Sequence, residues 1–239
     1  MKNIIVLTSG LSGSSVVTNL LSKAGYWAGD STCKKTDYNT YENSDLVYLN
    51  ELLLKAVDYD KGYSISVKAE KIRQVEFLFN TIDLEPFKTF IEKCDVFAPW
   101  IWKDPRLWVT MPFWIQMLNK DNLHIVFIDR SISQRWVSEL LRKNVQTLGY
   151  CRQYNAQIKG LIKSFILKHK IKNGAVLFDD LILKPEQTLL DLNNSLGIDL
   201  KVEDLHGVYN KPLYKKTRGK KSLLIAVLIY LKNYRSRLK

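Results

Sequence analysis

The sequence predicts a single α/β domain built on a doubly wound parallel sheet flanked by helices. Apolar, β-prone runs alternate with segments whose apolar residues recur at helical spacing, the order typical of strands joined by crossover helices. The chain has 239 residues, 46% of them hydrophobic and 25% charged. That length is enough for one domain with a sizeable core, and it is short for two complete domains. No internal repeat or interdomain linker interrupts the alternation.

The first elements are a strand, a loop and a helix. Residues 4–7 form a continuous apolar run, as expected for a strand buried on both faces of a parallel sheet. A segment rich in glycine and serine, residues 8–15, follows at once. Apolar residues then recur at helical spacing as far as Ala24, and Gly25 suits the end of that helix. Two further helices over 45–57 and 86–93 and a second strand over 96–102 are predicted next.

The second strand ends at the tetrad Lys103-Asp104-Pro105-Arg106. Pro105 has no N–H and restricts Asp104 to extended conformations, so the chain turns there. The clearest strand of the sequence comes next, over residues 123–128. The remaining predictions are a helix from about 132 to 144, a helix over 150–170, a strand over 175–178 and a helix over 185–196 that ends at Gly197.

Basic residues are concentrated at the end of the chain. The net charge is +12, and residues 211–239 contain ten Lys or Arg and no acid. We therefore divide the chain into a domain over residues 1–210 and a basic tail with a short helix over 211–239. A basic surface attracts polyanions, including phosphorylated cofactors and anionic lipid. The sequence shows no recognised nucleic-acid module, so we expect no nucleic-acid partner.

The cysteines and the apolar runs indicate a reducing, cytoplasmic location. Cys33, Cys94 and Cys151 are odd in number and widely spaced, which supports neither a disulfide framework nor a zinc site. The apolar run at residues 4–7 is too short for a secretory signal. No run reaches the roughly 20 apolar residues that span a bilayer.

The glycine-serine segment has the composition of a phosphate-binding loop. Gly10 and Gly13 allow a tight turn, and N–H groups at a helix N-terminus attract anions. The hydroxyls of Ser12, Ser14 and Ser15 add hydrogen-bond donors. The segment is not a Walker A loop, because Ser14 stands where that motif has lysine, and it is not a dinucleotide fingerprint. The alternative is an ordinary turn with an N-cap serine.

Four motifs follow one another in a specific order. They are Ser12-Gly13-Ser14-Ser15; Tyr41-Glu42-Asn43-Ser44-Asp45-Leu46 with Leu49-Asn50; the KDPR tetrad at 103–106; and Arg130 after a strand with Ser138 eight residues later. With this order, the chain resembles the bacterial sulfotransferases that use 3′-phosphoadenosine 5′-phosphosulfate (PAPS), and the related heparan and tyrosylprotein enzymes. The resemblance runs from about residue 4 to residue 197.

The resemblance implies a P-loop-like fold, PAPS as co-substrate without a metal, and sulfuryl transfer to a hydroxyl of a carbohydrate or small molecule. Arg130 and Ser138 would hold the 3′-phosphate of PAPS, and the planar fork of an arginine suits such contacts independently of any family. The loop that would hold the 5′-phosphosulfate consists of Gly10, Leu11, Ser12, Gly13, Ser14 and Ser15.

One position departs from the family pattern. Leu11 stands where the family has Lys or Arg, and the loss of such a preorganised cation costs on the order of 10²–10³ in rate. Lys103 is our candidate for the catalytic cation, supported by Arg106. The alternative is a local ion pair between Lys103 and Asp104.

Transfer to a hydroxyl also needs a base that takes its proton. Glu42 is the first candidate and Asp104 the second, and either carboxylate could instead be structural. The histidines are poor candidates, since His124 lies within a strand, His169 ends a basic helix and His206 lies beyond the matched region.

The tail and the neighbouring aromatic residues each have more than one interpretation. Arg218-Gly219-Lys220 could close over a phosphate, and the helix over 223–231 could rest on anionic lipid near a glycolipid acceptor or pack on the core. Seven aromatic residues could stack on a sugar or fill the core: Tyr26, Trp27, Tyr38, Tyr41, Trp100, Trp102 and Trp108.

Two other functions remain open at this point. The first is a sulfotransferase-like protein that binds nucleotide but lost its activity with the loop cation. The second is a P-loop-type kinase, which is disfavoured by the missing lysine, although Asp129 ends a strand and could bind magnesium. Dependence on magnesium would separate the kinase from the sulfotransferase.

Overall fold

The computed structural model describes residues 1–35, 38–64, 66–141, 147–209 and 220–237. Its central sheet has four strands, all parallel, in the order β4-β1-β5-β6. A separate antiparallel ribbon pairs β2 with β3. The predicted α/β class with a parallel sheet is confirmed. The strands are β1 (Asn3–Thr8), β2 (Thr32–Lys35), β3 (Tyr38–Asn43), β4 (Ile101–Lys103), β5 (Leu123–Asp129) and β6 (Lys172–Leu177).

Helices separate the strands of the central sheet along the chain, as expected for an α/β fold. The first half of the chain holds α1 (Ser14–Lys23), α2 (Ser44–Ala56), α3 (Ala69–Phe77), α4 (Glu85–Val96) and α5 (Leu107–Trp114). The second half holds α6 (Ile132–Leu141), α7 (Leu148–His169), α8 (Phe178–Leu183), α9 (Pro185–Leu196), α10 (Val202–Val208) and α11 (Lys220–Arg237).

Both faces of the sheet are covered. Ile5 and Leu7 of β1 pack into a large cluster with side chains of α2, α4, α5 and α7. Ile4 and Val6 point the other way and pack with α1, α8, α9 and α10. Successive side chains of a strand alternate between the faces, and a strand covered on both faces is apolar throughout. This packing is the reason for the unbroken apolar run at the start of the sequence.

The strand predicted over residues 96–102 is wrong in its extent. Helix α4 continues to Val96, and β4 occupies only Ile101–Lys103. Buried aromatic residues produced the error, since a short apolar run has the same pattern in a strand and in a buried connection. Trp100 belongs to that connection, and its indole Nε1 donates to Asp95 at 2.9 Å. Lys103 is therefore the last residue of β4, one residue beyond the predicted end of the strand.

Several elements had no usable sequence signal. Helix α5 is buried on nearly every side and contains Pro112, so its apolar residues show no amphipathic period. The polar β2–β3 ribbon and the helices α3, α8 and α10 were also missed. The helix predicted to reach residue 144 corresponds to α6, and residues 142–146 lie outside the described part of the chain.

The tail helix packs beside α6. Ala226 of α11 is fully buried in a small cluster with Trp136, Val137 and Leu140 of α6 and Cys151 of α7. The predicted 223–231 helix lies within α11, while the Arg218-Gly219 segment lies outside the described residues. In the part of the chain that the structure describes, no helix is long and apolar enough to cross a membrane. The domain boundary at residue 210 stays a prediction.

Candidate functional site

The predicted site residues gather at the carboxyl edge of the sheet. Because the strands are parallel and in register, Val6 pairs with Lys103 and Thr8 with Ile128. The segments that follow β1, β4 and β5 therefore leave the sheet side by side. This edge is where ligands bind in open α/β sheets.

The loop between β1 and α1 has the backbone of an anion cradle. Gly10, Leu11 and Gly13 adopt left-handed conformations, with φ of 83°, 49° and 81°. These turns bring the chain directly into α1, which begins at Ser14. The N–H groups of a first helical turn have no intrahelical acceptor and carry the positive end of the helix dipole. The loop can therefore bind a phosphate-like anion.

Hydroxyl groups brace the loop from within. The Thr8 hydroxyl accepts from the Gly10 N–H at 3.1 Å and is also hydrogen-bonded to the Ser12 hydroxyl. Ser12 is buried, so its hydroxyl belongs to the internal support of the loop. Ser15 is more exposed and stands at the start of α1. Among the predicted loop hydroxyls, that of Ser15 is thus better placed than that of Ser12 to meet a ligand.

A buried arginine that the sequence analysis missed supports the same loop. Arg135 of α6 donates to both the hydroxyl and the carbonyl oxygen of Ser9, and the Ser9 hydroxyl donates to Asn155 of α7 at 2.7 Å. Burial lowers the pKa of Arg135. The available signal was the three-residue spacing of Arg135 and Ser138, which puts both on one face of α6.

Arg130 joins the loop to α6. Its Nη1 donates to the carbonyl oxygen of Leu11 at 3.3 Å and to the Ser138 hydroxyl at 3.1 Å. The guanidinium also lies over the ring of Phe178, 5.5 Å from its centroid. The Asp179 carboxylate accepts the Ser131 N–H at 2.6 Å. The structure thus brings Arg130, Ser138 and the loop together at one end of the sheet.

Lys103 reaches the loop from β4. Its Nζ donates to the Thr40 carbonyl oxygen at 3.2 Å and to the Ser15 hydroxyl at 3.5 Å, and it forms an ion pair with Glu42. Lys103 is only 4% exposed. The ribbon strand β3 delivers Glu42 to this position. Two residues predicted to be catalytic therefore meet at the start of α1, and the ion-pair partner of Lys103 is Glu42 rather than Asp104.

Asp104 and Arg106 form a second, adjoining network. The buried Asp104 carboxylate accepts from Asn50 at 2.9 Å and from the N–H and the guanidinium of Arg106 at 2.9 and 3.0 Å. Burial raises the pKa of Asp104, while Arg106 opposes that rise. Arg106 also binds Glu51 at 2.7 Å. These bonds tie the turn after β4 to α2, and both oxygens of Asp104 are engaged.

The histidines hold the positions that the sequence indicates. His124 lies in the amino-terminal half of β5, where its Nε2 is 3.2 Å from the Ser195 hydroxyl. Burial and the charges of Lys172 and Lys2 lower its pKa to about 4, so it is neutral at pH 7. His169 ends α7 and His206 lies in α10.

Most of the predicted aromatic residues belong to the core. Tyr26, Trp100, Trp102 and Trp108 are buried, and Trp27 stacks on Phe97 with the ring centroids 4.8 Å apart. Tyr41 lies in β3 and is half-buried. The side chain of Tyr38 lies outside the described part of the chain.

The comparisons with known proteins find that the chain is similar to several solved structures. No family model and no curated protein matches the chain. A sulfotransferase domain from the curacin biosynthetic pathway is 15% identical, with a TM-score of 0.49 over 92% of this chain and 81% of that one. The sulfotransferase domain of the Synechococcus PCC 7002 olefin synthase is 15% identical, with a TM-score of 0.47 over 94% and 84%. Sulfotransferase STF9 from Mycobacterium avium is 13% identical, with a TM-score of 0.45 over 86% and 66%.

Replacing Gly13 tests the geometry of the loop. A Cβ at Gly13 would lie 2.3 Å from the Phe178 ring, and its φ of 81° strains any other residue. We expect Gly13→Ala to lower the free energy of unfolding by about 2–4 kcal/mol in urea denaturation. The control is Gly160→Ala in α7, where a Cβ meets nothing within 4 Å. That change should stabilise the chain by about 0.5–1 kcal/mol. Equal stabilities of the two variants would contradict this loop geometry.

Proposed function

We propose that the chain is a sulfotransferase that moves a sulfuryl group from PAPS to a hydroxyl of a carbohydrate or small-molecule acceptor. The observation that supports this most is the presence of two groups of hydrogen-bond donors at one edge of the sheet. One is the loop over residues 10–15, and the other is the Arg130–Ser138 pair, 3.1 Å apart. PAPS is anionic at two places, its 5′-phosphosulfate and its 3′-phosphate, and so requires two such groups.

The chemistry of the donor set fits this nucleotide. Residues 8–15 contain no carboxylate, so the loop presents N–H and hydroxyl donors without a competing negative charge. Asp129, the acid nearest in sequence to Arg130, is paired with Lys159. Arg130 binds the Leu11 carbonyl oxygen and therefore lies against the loop. A single nucleotide with phosphates at both ends of its ribose could engage both groups.

PAPS supplies a sulfuryl group bound to a phosphate that leaves with the negative charge. Residues 10–15 would hold the phosphosulfate, and Arg130 with Ser138 would hold the 3′-phosphate. Lys103 has its ammonium 3.5 Å from the Ser15 hydroxyl, at the end of the loop and the start of α1. Its charge would stabilise the leaving phosphate, which is the task of the cation that Leu11 replaces in the family pattern.

Glu42 is the favoured base. Its carboxylate would take the proton of the acceptor hydroxyl while the acceptor oxygen forms a bond to sulfur. The bond between sulfur and the oxygen that it shares with the 5′-phosphate would break at the same time. The products are a sulfate ester and 3′-phosphoadenosine 5′-phosphate (PAP). In the structure Glu42 is bound to Lys103, so a turn of Lys103 toward the donor would release Glu42 for this step. Asp104 is less suited, since it is buried and both of its oxygens are engaged. Asp104 and Arg106 would act as positioning residues for Lys103.

The presence of Leu11 in place of a basic residue supports a second candidate function. Without a basic residue in the loop, the chain could bind the nucleotide and transfer nothing, as a sulfotransferase-like binding protein. The two functions share the nucleotide site and differ in turnover. Both therefore predict PAP binding, and only the first predicts release of PAP from PAPS in the presence of an acceptor.

Calorimetry with PAP in metal-free buffer tests the nucleotide site. We expect micromolar binding by the wild type and binding at least about 100-fold weaker by Arg130→Ala, since two charge-assisted hydrogen bonds at about 1.5–3 kcal/mol each are lost. The control is Arg152→Ala, which removes an exposed arginine of α7 and should change nothing. No binding by a folded wild type would reject both candidate functions, and binding that requires magnesium would favour a kinase.

Lys103→Met tests the proposed catalytic cation. Turnover is followed as release of PAP from PAPS with a panel of carbohydrate and phenol acceptors. We expect kcat to fall by about 10²–10³, because the ammonium is needed chiefly as charge develops on the leaving phosphate. The affinity for PAP should fall by less than about tenfold, which also shows that the variant is folded.

The control for this variant is Lys93→Met, which removes an exposed lysine that is likewise paired with acids, Asp30 and Asp45. It should leave turnover unchanged. If Lys103→Met binds PAP and retains the full rate, Lys103 is not the catalytic cation.

A further inference from the structure

Helix α11 leaves most of its apolar side chains in water. Ala226 is fully buried against α6, with Ile229 and Tyr230 packed beside it. The remaining apolar residues are 40% to 63% exposed, far more than a helix packed on a core by one face requires. All of them except Ile225 lie on one side of the helix at 3.6 residues per turn. We call that side the α11 apolar face, which consists of Leu223, Leu224, Val227, Leu228, Leu231 and Tyr234.

Basic residues lie at both ends of this face, and acids are missing from the whole region. Lys220 and Lys221 begin α11, and Lys232, Arg235 and Arg237 lie in its last turns. The sequence from residue 205 to residue 239 contains no Asp or Glu. An exposed apolar patch flanked by basic residues suits contact with the surface of an anionic membrane.

We propose that α11 docks the protein on the surface of a bilayer that contains anionic lipid. The apolar face enters the boundary between headgroups and acyl chains, and the lysines and arginines contact lipid phosphates. Charge complementarity selects this occupant over a second copy of the chain, because two α11 helices would bring their positive charges together. The helix lies on the surface, since no helix in the described ranges is long and apolar enough to span a bilayer.

Docking would bring the candidate site close to the membrane. Helix α6, on which α11 packs, carries Ser138 and begins two residues after Arg130. The edge that we propose to hold the nucleotide is therefore one helix away from the docking helix. Acceptors carried on lipids, such as glycolipids, would then be within reach. The docking itself does not require the transfer reaction, so the two proposals can fail separately.

Co-sedimentation of the full chain with vesicles tests the proposal. We expect binding to phosphatidylcholine vesicles with about 30% phosphatidylglycerol, weaker binding as salt rises from about 0.1 to about 0.5 M, and little binding to pure phosphatidylcholine. Leu224→Ser with Leu228→Ser should lower the partition coefficient at least about tenfold, because these are the two most exposed leucines of α11.

The matched control is Leu167→Ser with Leu190→Ser. These leucines of α7 and α9 are 77% and 51% exposed, and their replacement should change the partition coefficient by less than about twofold. Equal binding to neutral and anionic vesicles, or equal binding by the two double variants, would overturn the proposal. A wild type that binds no vesicles would overturn it as well. In that case the wild type could sediment as a dimer, and the double variant Leu224→Ser with Leu228→Ser would sediment as a monomer. The apolar face would then be an interface between two copies of the chain.

Discussion

The parallel pairing of four strands is the constraint on which the candidate site depends. Because β1, β4 and β5 run in one direction and in register, the residues that follow them emerge at one edge. Burial on both faces keeps the middle of β1 and most of β5 apolar, so the polar residues of the site lie where the strands end. The loop after β1, Lys103 at the end of β4 and Arg130 after β5 meet there for that reason, although up to about 120 residues of sequence separate them.

The polar groups at this edge are paired with one another. Lys103 forms an ion pair with Glu42 and Asp104 with Arg106, and Arg135 donates a hydrogen bond to Ser9. Removing one partner of a buried ion pair costs roughly 3–5 kcal/mol, so the Asp104–Arg106 pair holds both side chains in place, whereas the Lys103–Glu42 pair has to open for the proposed transfer. The loop, which has three residues at positive φ, is supported by Arg135 through Ser9 and by Arg130 through the Leu11 carbonyl oxygen. Such preorganisation is what stabilisation of a developing charge requires.

Local patterns in the sequence predicted the parts of the site that are local in the fold. The apolar run of β1, the glycines of the loop and the spacing of Arg130 and Ser138 each lie within one strand–loop–helix unit. The pairing of Lys103 with Glu42 could not be predicted in this way, because it depends on the β2–β3 ribbon, which is short and polar. Arg135 was missed because a basic residue in an amphipathic helix normally faces solvent. The strand predicted over 96–102 failed because buried aromatic residues look alike in strands and connections.

A comparison of PAP with adenosine 5′-phosphate would test the central claim most directly, since the two nucleotides differ only in the 3′-phosphate. Calorimetry with the wild type and Arg130→Ala forms a cycle that isolates the interaction between Arg130 and that phosphate. We expect the wild type to prefer PAP by at least about 100-fold and Arg130→Ala to reduce this preference to less than about fivefold. An unchanged preference in the variant would contradict the assignment of Arg130 and, with it, the proposed nucleotide site.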